Sequence, residues 1–207
     1  MSKNINKLLI FTKSPVLGEV KTRLQPDYSP EESLKIHKSL MLKTLEITKN
    51  LDGIDIELCC APDRNSMFFL GCENNFPIQL TNQQGADLGE KMAFSFSVAL
   101  QTYEYVVVIG TDCPDIDEGY LQQAFDALSE VDAVIGPAAD GGYVLLGLKQ
   151  FSPEIFKDIS WGKDSVFKQT QDALNDLGWS LHKLETKYDI DRPEDLHRYK
   201  YLLNELK

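Results

Sequence analysis

Apolar positions along the chain switch between two periods. "KLLIFT" (7–12) is an unbroken apolar run too short for a helix and predicts a first strand. Ser29-Pro30-Glu31-Glu32 then offers an N-cap, a proline at the first helical position and acids in the first turn. Apolar residues recur after it at Leu34, Met41 and Leu45 and at Leu40, Ile47 and Leu51, predicting a helix to about residue 51. "IDIELCC" (54–60) alternates as a second strand, and "IQLTNQ" (78–83) reads as a short third one. Helix 87–101, strand 105–110 and helix 119–130 follow. Two strands, 132–136 and 143–148, flank the polar turn "PAADGG". Helix 163–178 ends in glycine, and a strand near 180–184 and a helix over 193–207 close the chain. Alternating strands and helices favour an α/β fold with a mainly parallel sheet.

Composition narrows the class. The 207 residues, 43% hydrophobic, suffice for one substantial core, and no linker or repeat divides them, so one domain spanning 1–207 is expected. A net charge of -11 argues against nonspecific binding to nucleic acid or an anionic membrane. The imbalance is uneven. Residues 1–50 hold nine Lys/Arg against five Asp/Glu, so a small anion is drawn to the N-terminal segment. No stretch resembles a secretory signal or membrane span, and four cysteines without finger spacing fit reduced thiols, so a cytoplasmic protein is expected.

In open α/β sheets, ligands sit outside the carboxyl ends of the strands. The loop after the first strand, "TKSPVLGEVKTRL" (12–24), gathers Lys13, Lys21 and Arg23 around Gly18 and Pro15, either a phosphate grip or a solvated basic loop. "GTDCPD" (110–115) ends the apolar run "EYVVVI" in two carboxylates. Asp112 is placed to hold Mg²⁺ or Mn²⁺ or to make an Asx-turn, and Asp115 suits a helix cap. Asp140 precedes Gly141 and Gly142, glycines that admit a ligand or simply make a hairpin turn. In "YDIDRPEDL" (188–196), Asp191 and Glu194 have capping-box spacing, which leaves Asp189 the freer carboxylate. Neither a Walker A loop nor G-x-G-x-x-G is present, and no histidine pairs with a Ser or Cys nucleophile.

Six segments in order, "FTKSPVLGEVKTRL", "QGADLGEKM", "GTDCPD", "GPAADGGYVLLGL", "SWGKDSV" and "DIDRPEDL", resemble a bacterial family of small glycosyltransferase-like proteins. That family belongs to the nucleotide-diphospho-sugar transferase superfamily, which also holds phospholactate and molybdenum-cofactor guanylyltransferases. The resemblance implies a GT-A fold, a three-layer sandwich around a mixed, mainly parallel sheet. It implies that Lys13, Gly18, Lys21 and Arg23 face donor phosphates, that Asp112 is the metal-binding acid, and that Asp189 or Asp191 is the second ligand. Asp140, Gly141, Gly142 and Trp161 would border the sugar or acceptor, and Asp87 and Gly89 would position the nucleotide unless Asp87 only caps a helix. The usual D-x-D is absent, since "TDCPD" has no acid two positions beyond Asp112.

Three functions are open on these residues. The leading expectation is a metal-dependent glycosyltransferase that moves a sugar from a nucleotide-diphosphate sugar to an acceptor of unknown identity, with Asp112, Asp140, Lys21 and Arg23 carrying catalysis. The alternative is a nucleotidyltransferase joining an NTP to a phosphorylated acceptor with release of pyrophosphate. A noncatalytic nucleotide-binding module is the third. The first loop decides the order: with one glycine and Pro15, it lacks the glycine-rich backbone that cradles a triphosphate.

Overall fold

The computed structural model describes residues 4–204 apart from Pro26. Seven strands form one sheet in the order β3-β2-β1-β4-β6-β5-β7. They are β1 (Asn4–Lys13), β2 (Ile54–Ala61), β3 (Ile78–Asn82), β4 (Tyr103–Gly110), β5 (Ala133–Pro137), β6 (Tyr143–Leu148) and β7 (Leu181–Lys183). β1 to β4 run parallel, whereas β6 is antiparallel to both β4 and β5. The sheet is therefore mixed and mostly parallel, as the sequence predicts.

Strand alternation builds the layers. On β1, Leu8 and Ile10 face a core with α1 (Pro30–Thr48), α2 (Met67–Asn75) and α4 (Glu118–Glu130). Leu9 and Phe11 face the other side, toward α3 (Leu88–Ala99) and α5 (Val166–Asp176). A third cluster joins Leu24, Ile36 and Leu40 to Ile190, Leu196 and Tyr199, so α1 and the C-terminal segment hold one another beside the carboxyl ends of the strands.

Helix starts follow the expected chemistry. Ser29 and Glu32 form a complete capping box before α1, and the Asp87 side chain accepts from Glu90 N at 2.8 Å to cap α3. α1 stops at Thr48, three residues short of its expected end. α2, capped by Ser66, has no counterpart in the sequence reading. The expected C-terminal helix is a 3-10 turn over Pro193–Arg198 followed by α6 (Lys200–Asn204), and positions 205–207 lie outside the described residues.

Candidate active site

The loop after β1 carries the first charges. Lys21 adopts φ 50°, a left-handed conformation that costs a non-glycine residue about 1 kcal/mol. Its side chain explains the geometry. Only 5% exposed, it places Nζ 2.7 Å from Asp112 Oδ1 and donates a second hydrogen bond to the Ile190 carbonyl. Leu24, fully buried, anchors the short 3-10 turn that follows, and Arg23 on that turn stays open and pairs with Asp191 at 2.5 Å.

Behind the loop stands His37, a residue the sequence reading set aside. Its Nε2 lies 2.9 Å from the Lys13 carbonyl, which can only accept, so Nε2 carries the proton. Burial lowers its pKa; the bond to Lys13 and the nearby Asp112 oppose that, while Lys21 and Lys13 add to it. No spacing rule reveals this contact. His37 sits at a core-facing position of an amphipathic helix, where a histidine reads as packing.

Asp112 leaves the sheet directly after β4. Its carbonyl accepts from Ile190 N at 2.8 Å, and its carboxylate keeps about half of its surface open at 55%. Desolvation works against its ionisation, but Lys21, with His37 and Lys13 behind it, holds the carboxyl below its usual range. Asp115 does not cap α4 as expected. Asp117 does, accepting from Tyr120 N at 2.8 Å, while Asp115 accepts the Tyr199 hydroxyl at 2.6 Å.

Ile190, completely buried, separates the two late acids. Asp189 shares a pocket of about 90 Å³ with Asp112, Cys113 and Tyr143, and Asp191 turns outward to Arg23. The expected capping role of Asp191 belongs to Asp195, whose carboxylate accepts from the backbone N–H groups of both Asp191 and Arg192. Burial first, then the charges of Asp140 and Asp112, push the Asp189 carboxyl up to about 6.

The remaining candidates hold the frame. Asp140 accepts from Gly142 N at 2.9 Å in an Asx-turn and still acts electrostatically on Asp189 and Arg23. Gly141, at φ 91°, has no room for a side chain, since a Cβ would lie 2.1 Å from the Asp164 carbonyl oxygen. Gly89 lets Trp161 lie against α3, where a Cβ would meet the indole nitrogen at 2.5 Å. Trp161 in turn packs edge-on against Tyr143, whose ring lines the carboxylate pocket. Gly18 takes φ 78° at the crest of the basic loop.

A family model described as "Uncharacterized protein conserved in bacteria (DUF2064)" matches residues 44–163, more than half of the chain. The chain belongs to the DUF2064 family. Among curated relatives, the 2-phospho-L-lactate guanylyltransferase of Methanocaldococcus jannaschii is 29% identical, covering 95% of this chain and 83% of its own. That of Methanothermobacter thermautotrophicus is 23% identical over 85% of this chain. Among solved structures, one described as a nucleotide-diphospho-sugar transferase of Desulfovibrio desulfuricans G20 superimposes with a TM-score of 0.84, at 26% identity and 97% coverage of both chains. A 4-diphosphocytidyl-2C-methyl-D-erythritol synthase of Anaerococcus prevotii shares the fold, at a TM-score of 0.63 and 11% identity. On both counts this DUF2064 chain is similar to transferases of nucleotide substrates with the GT-A type of sheet.

These relatives correct the leading functional expectation. A first loop with a single glycine and Pro15 points toward sugar transfer, yet the relatives that match along most of this DUF2064 chain are named as guanylyltransferases. A loop poor in glycine is compatible with a triphosphate, which side-chain cations can hold in place of backbone amides. Side-chain cations converge on the same edge, and Lys21 is fixed there by the fold.

Among the described residues of this DUF2064 protein, no three His, Cys, Asp or Glu side chains meet in a protein-only metal cage. The pocket nonetheless suits a hard divalent ion that takes two carboxylates and completes its shell with phosphate and water. Asp112 and Asp189 supply hard oxygens on one cavity, and burial, with the charges of Asp140 and Asp112 behind it, raises the Asp189 carboxyl. Asp191, committed to Arg23, stands outside that pair.

Proposed function

We propose that this protein is a nucleotidyltransferase that joins an NTP, GTP first among them, to a small phosphorylated acceptor and releases pyrophosphate. One observation carries the reading: relatives named as 2-phospho-L-lactate guanylyltransferase match up to 95% of the chain. The site fits that chemistry. An ionised acceptor phosphate oxygen attacks the α-phosphorus, the bond from that phosphorus to the bridging oxygen breaks, and pyrophosphate leaves. The nucleophile is already ionised at neutral pH, so the step requires no general base.

Lys21 and Arg23 would bind and orient the triphosphate and take up charge that develops on the leaving pyrophosphate. Lys13, at the strand end fixed by His37, would add a third cation. Asp112 and Asp189 would hold Mg²⁺ or Mn²⁺, which when bound offsets phosphate charge. Asp140 and the turn at Gly141 and Gly142 would border the acceptor, with Trp161 supporting Tyr143 beside it.

The test is direct. Purified protein is incubated with GTP, ATP, CTP or UTP, Mg²⁺, and 2-phospho-L-lactate or related phosphorylated hydroxy acids, and pyrophosphate is measured. The expected result is acceptor-dependent release, preferring one NTP and lost in Asp112→Asn. Absence of release from every combination would overturn the reading.

A further inference from the structure

A cleft of about 580 Å³ lies away from the carboxylate pocket, where α3 forms one wall and the exposed positions of β2 and β3 form the floor. Its size falls within the range of small-molecule sites. At its base Lys7, only 3% exposed, sits 3.1 Å from Glu57 and 5.1 Å from the centre of the Tyr103 ring. The other Glu57 oxygen accepts the Thr81 hydroxyl at 2.7 Å. A buried ion pair of this kind is often matched or bettered in stability by apolar side chains of similar volume, so it makes a poor packing surface. It makes a rigid polar floor.

The lining has a definite chemical character. Two cations, Lys7 and Arg64, face one acid, Glu57, which leaves one net positive charge. Glu57 already offsets Lys7. Arg64 spends Nη1 on the Leu80 carbonyl at 3.0 Å, and a guanidinium with five N–H groups retains donors for an anion. Three carboxamides, Gln79, Asn82 and Gln84, and the hydroxyls of Ser95 and Thr102 complete the polar surface. Such groups both donate and accept, as the hydroxyls of a polyol require. Opposite them, Phe94 (40% exposed) and Val98 (50%) present an apolar wall suited to the C–H face of a sugar ring.

We propose that this cleft is a second ligand site, for a polyhydroxylated small molecule bearing one anionic group, of the sugar-phosphate or sugar-acid class. It stands independently of the nucleotidyl-transfer reading, because binding is measured without NTP or acceptor. Isothermal titration of the full chain would compare D-glucose 6-phosphate, D-gluconate, D-glucose and inorganic phosphate. The first two separate phosphate from carboxylate as the anionic group, and the last two test whether both halves are needed. At least one anionic polyol is expected to bind saturably with millimolar or better affinity, about tenfold or more tighter than glucose and phosphate.

Arg64→Gln should weaken that binding about tenfold, the usual worth of a charge-assisted contact. Ser95→Trp, which fills the cleft from α3, should abolish it, while Lys21→Met at the other site should leave it unchanged. No saturable binding of either anionic polyol would overturn the proposal. So would binding that survives both cleft substitutions or disappears with Lys21→Met.

Discussion

Lys21 Nζ lies 2.7 Å from Asp112 Oδ1, so the cation expected on phosphate and the carboxylate expected on a metal neutralise each other. Arg23 and Asp191 repeat the arrangement 2.5 Å apart at the rim. On the proposed reading, the phosphates of a bound triphosphate would pair with Lys21 and Arg23, and Asp112 would be left to hold a divalent ion. Neither opposing charge then has to enter the site alone.

Lys21→Met should therefore strike catalysis harder than folding. We expect kcat/KM for pyrophosphate release to fall on the order of 100-fold, equivalent to about 2.7 kcal/mol of transition-state stabilisation. A continuous pyrophosphate assay reads this, and a loss below about fivefold would refute the assignment.

The outer pair should behave differently. Arg23 and Asp191 side chains are 61% and 40% exposed, so Asp191→Asn should change unfolding free energy by less than about 1 kcal/mol in a urea titration. Arg23→Gln should both raise KM for the NTP and lower kcat, reducing kcat/KM about tenfold in the same pyrophosphate assay. A large drop in the urea midpoint for Asp191→Asn would count against a purely peripheral pair.

Asp189 supplies a pH dependence. Its carboxyl is pushed up to about 6, so between its ordinary value and that point the folded chain binds more protons than the unfolded one. Stability must fall as pH rises through this window. Asp189→Asn removes the penalty. At pH 8 the variant should be more stable than the parent by about 1–2 kcal/mol, and the advantage should vanish below about pH 4. Chemical denaturation at both pH values measures it, and an equal effect at both would dismiss the electrostatic origin.

Gly89→Ala should disturb a distant-looking tryptophan. The added Cβ would stand 2.5 Å from the Trp161 indole nitrogen, and overpacking of this kind costs about 1–3 kcal/mol. The chain has two tryptophans, so a shift in native-state emission, absent in a Gly89→Ala/Trp161→Phe double variant, would locate the change at Trp161. Unaltered emission in the single variant would show that α3 moves instead.

The fold was largely legible because its signals are local. Ser29 with Glu32 and Asp87 before α3 announce helix starts, and the apolar run of β4 announces a central strand. α2 escaped notice because "MFFLGCENN" is too short to establish a helical period. The site was legible only in part. Lys21, Arg23 and Asp112 stand out as charges at strand exits. The pairings of Lys21 with Asp112 and of Arg23 with Asp191 do not, since they join residues distant in the chain, in the second case 168 positions apart. The exchange of capping roles among Asp115, Asp117, Asp191 and Asp195 has the same origin: several acids lie within one turn, and backbone direction selects among them. Asp87 and Gly89, expected at the nucleotide, are accounted for by a cap and by the seat of Trp161.

The buried Ile190 has a consequence for the order in which the protein matures. Its N–H meets the Asp112 carbonyl and its own carbonyl receives Lys21, so the last fifth of the chain closes a site whose other parts are translated much earlier. A nascent chain that has released β1 to β6 can already pair most of its sheet, yet it has no partner for the Ile190 contacts and no Asp189 beside Asp112. On the proposed reading, nucleotide turnover should therefore begin only after the C-terminal segment clears the ribosome.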